Sequence, residues 1–135
     1  MIPITSVMTN NVITVQENTP IYDALILFTE HKISGMPVVD AQNRVVGILS
    51  EKDVLVILLN NNALDSRVVS HYMSRNITCF TEDANAFEIC EFFIKSNFRR
   101  VPIVREGVLV GIVSRRDIIP LILEARSVLS QDRYN

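Results

Sequence analysis

The chain states one pattern twice, and this repetition constrains its fold more than any other feature. Shifting residues 8–53 forward by 65 places Met8 on Met73, Asn11 on Asn76, Glu17 on Glu82, Phe28 on Phe93 and Pro37 on Pro102. One residue is then lost from a turn and the offset becomes 64. Gly47-Ile48 meets Gly111-Ile112, while Ser50 and Asp53 meet Ser114 and Asp117. A unit this small has too little core to stand alone, so the copies are expected to pack as a pseudo-symmetric pair. Such an interface makes clefts in pairs, and ligands favour clefts.

Within the first copy, Val12 to Val15 is β-branched and reads as a strand. Thr19-Pro20 reads as a cap with proline at the first helical position, and Ile21, Ala24, Leu25 and Phe28 recur at helical spacing to about Lys32, with Gly35 as the break. Met36–Val39 and Val45–Leu49 form a hairpin around the turn Asp40 to Arg44, and a second helix runs from Ser50 to the breaker Asn60-Asn61-Asn62. The second copy repeats this order. Ile77 to Phe80 is its strand, and Ala86, Ile89, Cys90, Phe93 and Ile94 form the buried face of its helix. Val101–Val104 and Val108–Val113 are a hairpin with Glu106-Gly107 at the tip. The last helix starts after Ser114 and reaches about Arg126, bent or restarted at Pro120. Thr5 to Asn10 and Val68 to Ser74 are matching helical lead-ins. The fold class is α/β (α+β), two β-α-β-β-α repeats packed through their sheets with pseudo-two-fold symmetry. Residues 1–62 form the first domain, 63–127 the second with its linker, and 128–135 a polar, frayed tail.

Composition narrows the function classes. The start MIPITSVMTNN has neither the basic opening nor the apolar run of a signal peptide, and no segment has the ~20 apolar residues that span a bilayer. A cytoplasmic protein is expected, with Cys79 and Cys90 as small core residues rather than a disulfide. Residues 1–65 carry three Lys/Arg against seven Asp/Glu (−4), and residues 66–135 carry ten against eight (+2). Neither half is basic enough for a nucleic-acid surface. The excess sits in two pairs, Arg99-Arg100 and Arg115-Arg116, which suits a small anion. There is no P-loop and no Gly-rich dinucleotide turn. His31 and His71 stand isolated and read as surface residues, no cluster has metal-ligand spacing, and no base adjoins the serines. An enzyme is not expected.

Ser50-x-x-Asp53 and Ser114-x-x-Asp117 each follow a strand and open a helix. A hydroxyl followed three residues later by an acid is the pattern of a capping box, which satisfies free N–H groups at a helix start. The same elements suit a ligand: a helix start favours a phosphate, and a carboxylate accepts hydrogen bonds from ribose hydroxyls. Ser can cap while Asp points into a cleft, so the readings are compatible.

At these residues the chain resembles a tandem pair of cystathionine β-synthase (CBS) domains, a Bateman module. The resemblance rests on Gly35-Met36-Pro37-Val38-Val39-Asp40 with Gly47-Ile48-Leu49-Ser50-Glu51-Lys52-Asp53. In the second copy it rests on Phe98-Arg99-Arg100-Val101-Pro102-Ile103-Val104 with Gly111-Ile112-Val113-Ser114-Arg115-Arg116-Asp117. It implies a regulatory module that binds an adenosine nucleotide (AMP, ADP or ATP, or S-adenosylmethionine), needs no cofactor, forms a disc-like homodimer and acts on an effector protein in trans. In the first site it implies Ser50 and Asp53 with Ser34, phosphate-binding Arg100 and Arg116 from the other half, and an adenine slot of Asn76, Ile77 and Pro102. In the second it implies Ser114 and Asp117 with Arg99, Gly35 and Lys52, and a slot of Asn11, Val12, Met36 and Pro37. The alternative is a ligand-free dimerisation or scaffolding module whose Ser-x-x-Asp elements only cap helices.

Overall fold

A computed structural model of the chain describes residues 3–59 and 66–134, the last eight as main chain only. The first copy contains α1 (Ile21–His31), β1 (Gly35–Val39), β2 (Val45–Ser50) and the short α2 (Glu51–Leu55), which tightens into a 3-10 turn at Val56–Leu59. The second contains β3 (Phe80–Thr81), α3 (Ala86–Lys95), β4 (Arg100–Arg105), β5 (Val108–Ser114) and the long α4 (Arg115–Tyr134). The expected breaker at residues 60–62 lies outside the described residues.

Both hairpins are antiparallel and in matching register: Gly35 pairs with Ser50 as Arg100 pairs with Ser114. Both bulge at the same place, after Val38 and after Ile103. The single-residue change in offset lies in the turns. In the first turn the Asp40 carboxylate accepts from the N–H groups of Gln42 and Arg44, each at 2.9 Å. The second is a two-residue turn with Glu106 and Gly107 both at positive φ, 51° and 82°, a pairing that matches strand twist.

The lead-ins exchange places. Ile4, in a 3-10 turn at the start of the first copy, is fully buried in the second copy's core among Ile89, Phe93, Val101, Ile103 and Val113. Its counterpart at the offset of 65, Val69, is fully buried in the first copy's core with Ile21, Met36, Val38 and Leu49. Backbone pairing repeats the exchange. Thr9 and Ile112 trade two hydrogen bonds of 2.9 and 3.0 Å, and Ser74 and Ile48 trade two of 2.8 and 2.9 Å. Arg44 bridges Val108, its own counterpart at the offset of 64, so the pseudo-two-fold axis passes between the hairpin ends.

Several sequence expectations change. The strand at 12–15 is reduced to Val15, which bridges Val38, and that at 77–80 to Phe80–Thr81, parallel to β4. β-branched residues favour extended backbone, but a strand also needs a partner edge along its length, and these segments meet one only at their ends. Thr19 does not cap α1. Its hydroxyl accepts from Gln16 N–H (2.9 Å), Pro20 occupies the N-cap, and Ile21 N–H donates to Arg67 O (3.0 Å) of the incoming lead-in. α1 ends at Lys32 in the left-handed conformation (φ 51°), before Gly35, which opens β1. Ile94 is 79% exposed; Phe92 packs inward instead, stacked on Phe98 at 5.8 Å and edge-on to Phe80 at 5.7 Å. Pro120 does not divide α4, and the expected tail is helical through Tyr134. Proline fixes a helical φ, and because Pro120 is exposed, the carbonyl that loses its N–H partner can turn to water. Cys79 and Cys90 are both free thiols, and burial pushes the Cys79 thiol up from its ordinary value.

Candidate functional site

Two clefts of about 670 and 650 Å³ open where the copies meet, within the range that holds small ligands. Each has a Ser-x-x-Asp element at its edge, Asp53 in one and Asp117 in the other. In the Asp53 cleft Ser50 and Asp53 cap each other: Ser50 N–H donates to Asp53 Oδ2 at 2.8 Å, and Asp53 N–H donates to Ser50 Oγ at 3.2 Å. In the Asp117 cleft, Ser114 N–H donates to Asp117 Oδ2 at 2.8 Å. Each carboxylate thus spends one oxygen on its helix start. Its Oδ1 accepts no hydrogen bond among the described residues, and both aspartates are half-buried at a cleft wall.

A shared wall separates the clefts. Ser34, Gly35, Arg99, Arg100 and Arg115 line both. Arg100 reaches from β4 across the interface, and its Nη2 donates to Ser34 Oγ. A Cβ on Gly35 would lie 2.6 Å from Arg100 Nη1, so glycine is what leaves room for the guanidinium. Burial pulls Arg100 below its ordinary pKa, opposed first by the Glu51 carboxylate, while the Arg99 charge adds to the lowering and Asp117 opposes it. An arginine stays protonated under such a shift, so a cation is held half-desolvated between two open clefts, where it interacts strongly with anions.

The other expected residues divide between the clefts and the core. Ser34, Ser50, Asp53 and Arg100 line the Asp53 cleft; Asn76, Ile77, Pro102 and Arg116 do not. Pro102 is fully buried within β4, and Asn76 is exposed with its N–H on Ser74 Oγ. Arg116 follows Ser114 at the start of its own helix and lines the Asp117 cleft instead. Asn11, Val12, Gly35, Arg99, Ser114 and Asp117 line the Asp117 cleft; Met36, Pro37 and Lys52 do not. Met36 and Pro37 are closed off because β1 is buried along its whole length, and Lys52 lines the Asp53 cleft beside Asp53.

Sequence reasoning missed Ile48, Glu51, Leu55, Ser74, Asn97, Phe98 and Arg115 around Asp53, and Thr9, Ile13, Lys32, Ile33 and Ile112 around Asp117. A signal for four of these was present. Thr9 and Ser74 are counterparts in the repeat, as are Ile48 and Ile112, and each exchanged backbone bridge forms part of one cleft wall. Among the described residues no group of His, Cys, Asp and Glu could hold a metal ion, and no helix is long and apolar enough to cross a membrane.

Known proteins resemble this chain in sequence and fold. The chain is 32% identical over 120 residues to protein MJ1225 of Methanocaldococcus jannaschii, covering 89% of this chain and 42% of that protein, so it spans less than half that relative's length. It is similar to the crystal structure of CBSX2 from Arabidopsis thaliana in complex with AMP, with 27% identity, a TM-score of 0.82, and 93% and 99% of the two chains covered. It is also similar to the CBS domain pair of protein MJ0100 in complex with 5′-methylthioadenosine and S-adenosyl-L-methionine, with 26% identity, a TM-score of 0.80, and 93% and 98% covered. The CBS domain family model matches residues 4–60 and 69–124, one match for each copy of the repeat. The chain therefore belongs to the CBS domain family, as a tandem pair of the Bateman type.

Proposed function

We propose that this chain is a regulatory module that senses an adenosine nucleotide in its interdomain clefts and passes occupancy to an effector protein. The observation that carries the reading is the wall of Arg100 and Ser34 between two clefts, each edged by a carboxylate with a free oxygen. The AMP and S-adenosyl-L-methionine complexes of related CBS pairs support it. In this reading the apolar lining (Ile48 and Leu55, or Val12 and Ile112) takes the adenine, Asp53 or Asp117 accepts from the ribose hydroxyls through Oδ1, and the arginines take the phosphate. Ligand contacts that differ between two arrangements of the copies would shift the balance between them.

A thermal-shift panel of adenosine, AMP, ADP, ATP and S-adenosylmethionine tests this. A ligand at 100 times its Kd adds about 2.7 kcal/mol, a rise of several degrees. Asp53→Ala with Asp117→Ala is expected to abolish the rise. The reciprocal Ser50–Asp53 cap favours the second reading, a ligand-free scaffold. That reading wins if no compound raises the melting temperature of the unsubstituted chain.

We also propose that a second copy covers the outer helices. Tyr22 and Leu58 are exposed, and so are their counterparts Phe87 and Ile122. Large apolar side chains exposed at matching positions of both copies suit self-association about a two-fold axis. Sedimentation is expected to give twice the chain mass of 15.3 kDa, reduced to one chain by Ile122→Glu with Leu58→Glu. A single-chain mass without substitutions removes the dimer.

A further inference from the structure

We propose that the two clefts take chemically different ligands: the Asp117 cleft takes an adenosine polyphosphate, and the Asp53 cleft a nucleoside or nucleotide with at most one phosphate. The inference rests on the nucleotide reading above and divides it by charge. Both clefts share Arg99, Arg100 and Arg115, so their difference lies in the residues that each has alone. The Asp117 cleft adds Lys32 and Arg116 and holds one carboxylate. The Asp53 cleft adds only Lys52 and holds two carboxylates, Glu51 and Asp53. The balance of lining charges is five cations against one anion in the first, and four against two in the second.

Geometry widens the gap. Glu51 Oε1 lies 4.0 Å from Arg99 Nη1, so on that side the shared arginine already faces an anion. Arg115 turns its Nε and Nη2 to the carbonyls of Phe98 and Ser96, each at 2.9 Å, so it offers fewer donors to either cleft and leaves the difference to Lys32 and Arg116 on one side and Lys52 and Glu51 on the other. The counterpart of Glu51 in the repeat is Arg115 itself, so the second copy replaces an acid by a base at this position. A chain of two or three phosphates carries several negative charges. It gains from each uncommitted cation and is repelled by Glu51. An uncharged nucleoside or a monophosphate loses little in the less basic cleft.

Calorimetric titration of the full chain with ATP and with adenosine tests the division. Arg116 lines the Asp117 cleft, Lys52 lines the Asp53 cleft, and both are exposed, so neither Arg116→Ala nor Lys52→Ala threatens the fold. Arg116→Ala is expected to weaken ATP about tenfold or more and adenosine less than threefold, while Lys52→Ala leaves ATP within threefold. Glu51→Gln is expected to strengthen ATP binding at the Asp53 cleft, raising the number of ATP bound per chain. If ATP responds to Lys52→Ala and not to Arg116→Ala, or to both equally, the division is overturned while nucleotide binding stands. If neither compound binds the unsubstituted chain, the nucleotide reading fails and the division with it.

Discussion

Ile4→Ala is expected to destabilise the chain by about 2–5 kcal/mol, although Ile4 lies at the edge of the first copy. The side chain is fully buried, and the other buried residues of its cluster, among them Ile89, Phe93, Val101 and Val113, all belong to the second copy. Truncation removes three carbons and leaves a cavity among side chains fixed by two β-strands and a helix, which can collapse only partly. Ile4→Val removes one carbon and is expected to cost about 0.5–1.5 kcal/mol. Urea denaturation followed by circular dichroism measures both, and in a chain of this length the alanine variant should melt on the order of 10 °C lower. Because Ile4 plugs one core and Val69 the other, neither copy can unfold without opening its neighbour. A single transition is therefore expected in every variant. Two resolved transitions, or an Ile4→Ala cost below about 0.5 kcal/mol, would show that the exchanged turns do not hold the copies together.

This exchange marks where the sequence stops being legible. Periodicity located α1, α3 and both hairpins because each element buries a stripe or an alternating face that shows in its own residues. The repeat likewise revealed that two such units pack together. It could not reveal that Ile4 and Val69 cross over, because an apolar residue in a short lead-in looks the same whichever core it enters. The clefts divide in the same way. Asp53, Asp117, Ser50 and Ser114 follow from strand–helix junctions, which are local. Arg116 and Lys52 each line the cleft opposite to the one that the sequence implies, since the route of a long side chain depends on what stands across the interface. The sequence places Met36 and Pro37 at a slot, but β1 is covered on both faces, a fact of packing rather than of pattern. The duplication also left a signal unread. Gly47 and Gly111 recur at matching strand positions, and the structure supplies the reason: a lead-in backbone passes directly over each.

Gly47→Ala is accordingly expected to cost about 1–3 kcal/mol, the range for overfilling a packed site, and to act on one cleft more than the other. A Cβ at Gly47 would lie 2.7 Å from Ser74 O and 3.0 Å from Met73 Cε. Ser74 O is not free to retreat. It accepts from Ile48 N–H at 2.9 Å while Ser74 N–H donates to Ile48 O at 2.8 Å, so relief of the clash lengthens a bridge whose two hydrogen bonds contribute about 1 kcal/mol each. At Gly111 the nearest atom is Met8 Sδ at 2.6 Å, with Thr9 O further off at 3.1 Å. A methionine can swing its flexible thioether aside, so Gly111→Ala is expected to cost less than Gly47→Ala. Equal costs in urea denaturation would mean that the backbone yields as readily as the thioether. The functional consequence follows from position. Ile48 and Ser74 line the Asp53 cleft, whereas Thr9 and Ile112 line the Asp117 cleft. If nucleotides bind as proposed, Gly47→Ala should blunt the response to adenosine and spare that to ATP. A loss of both would place the bridge's effect on the whole interface instead of on one wall.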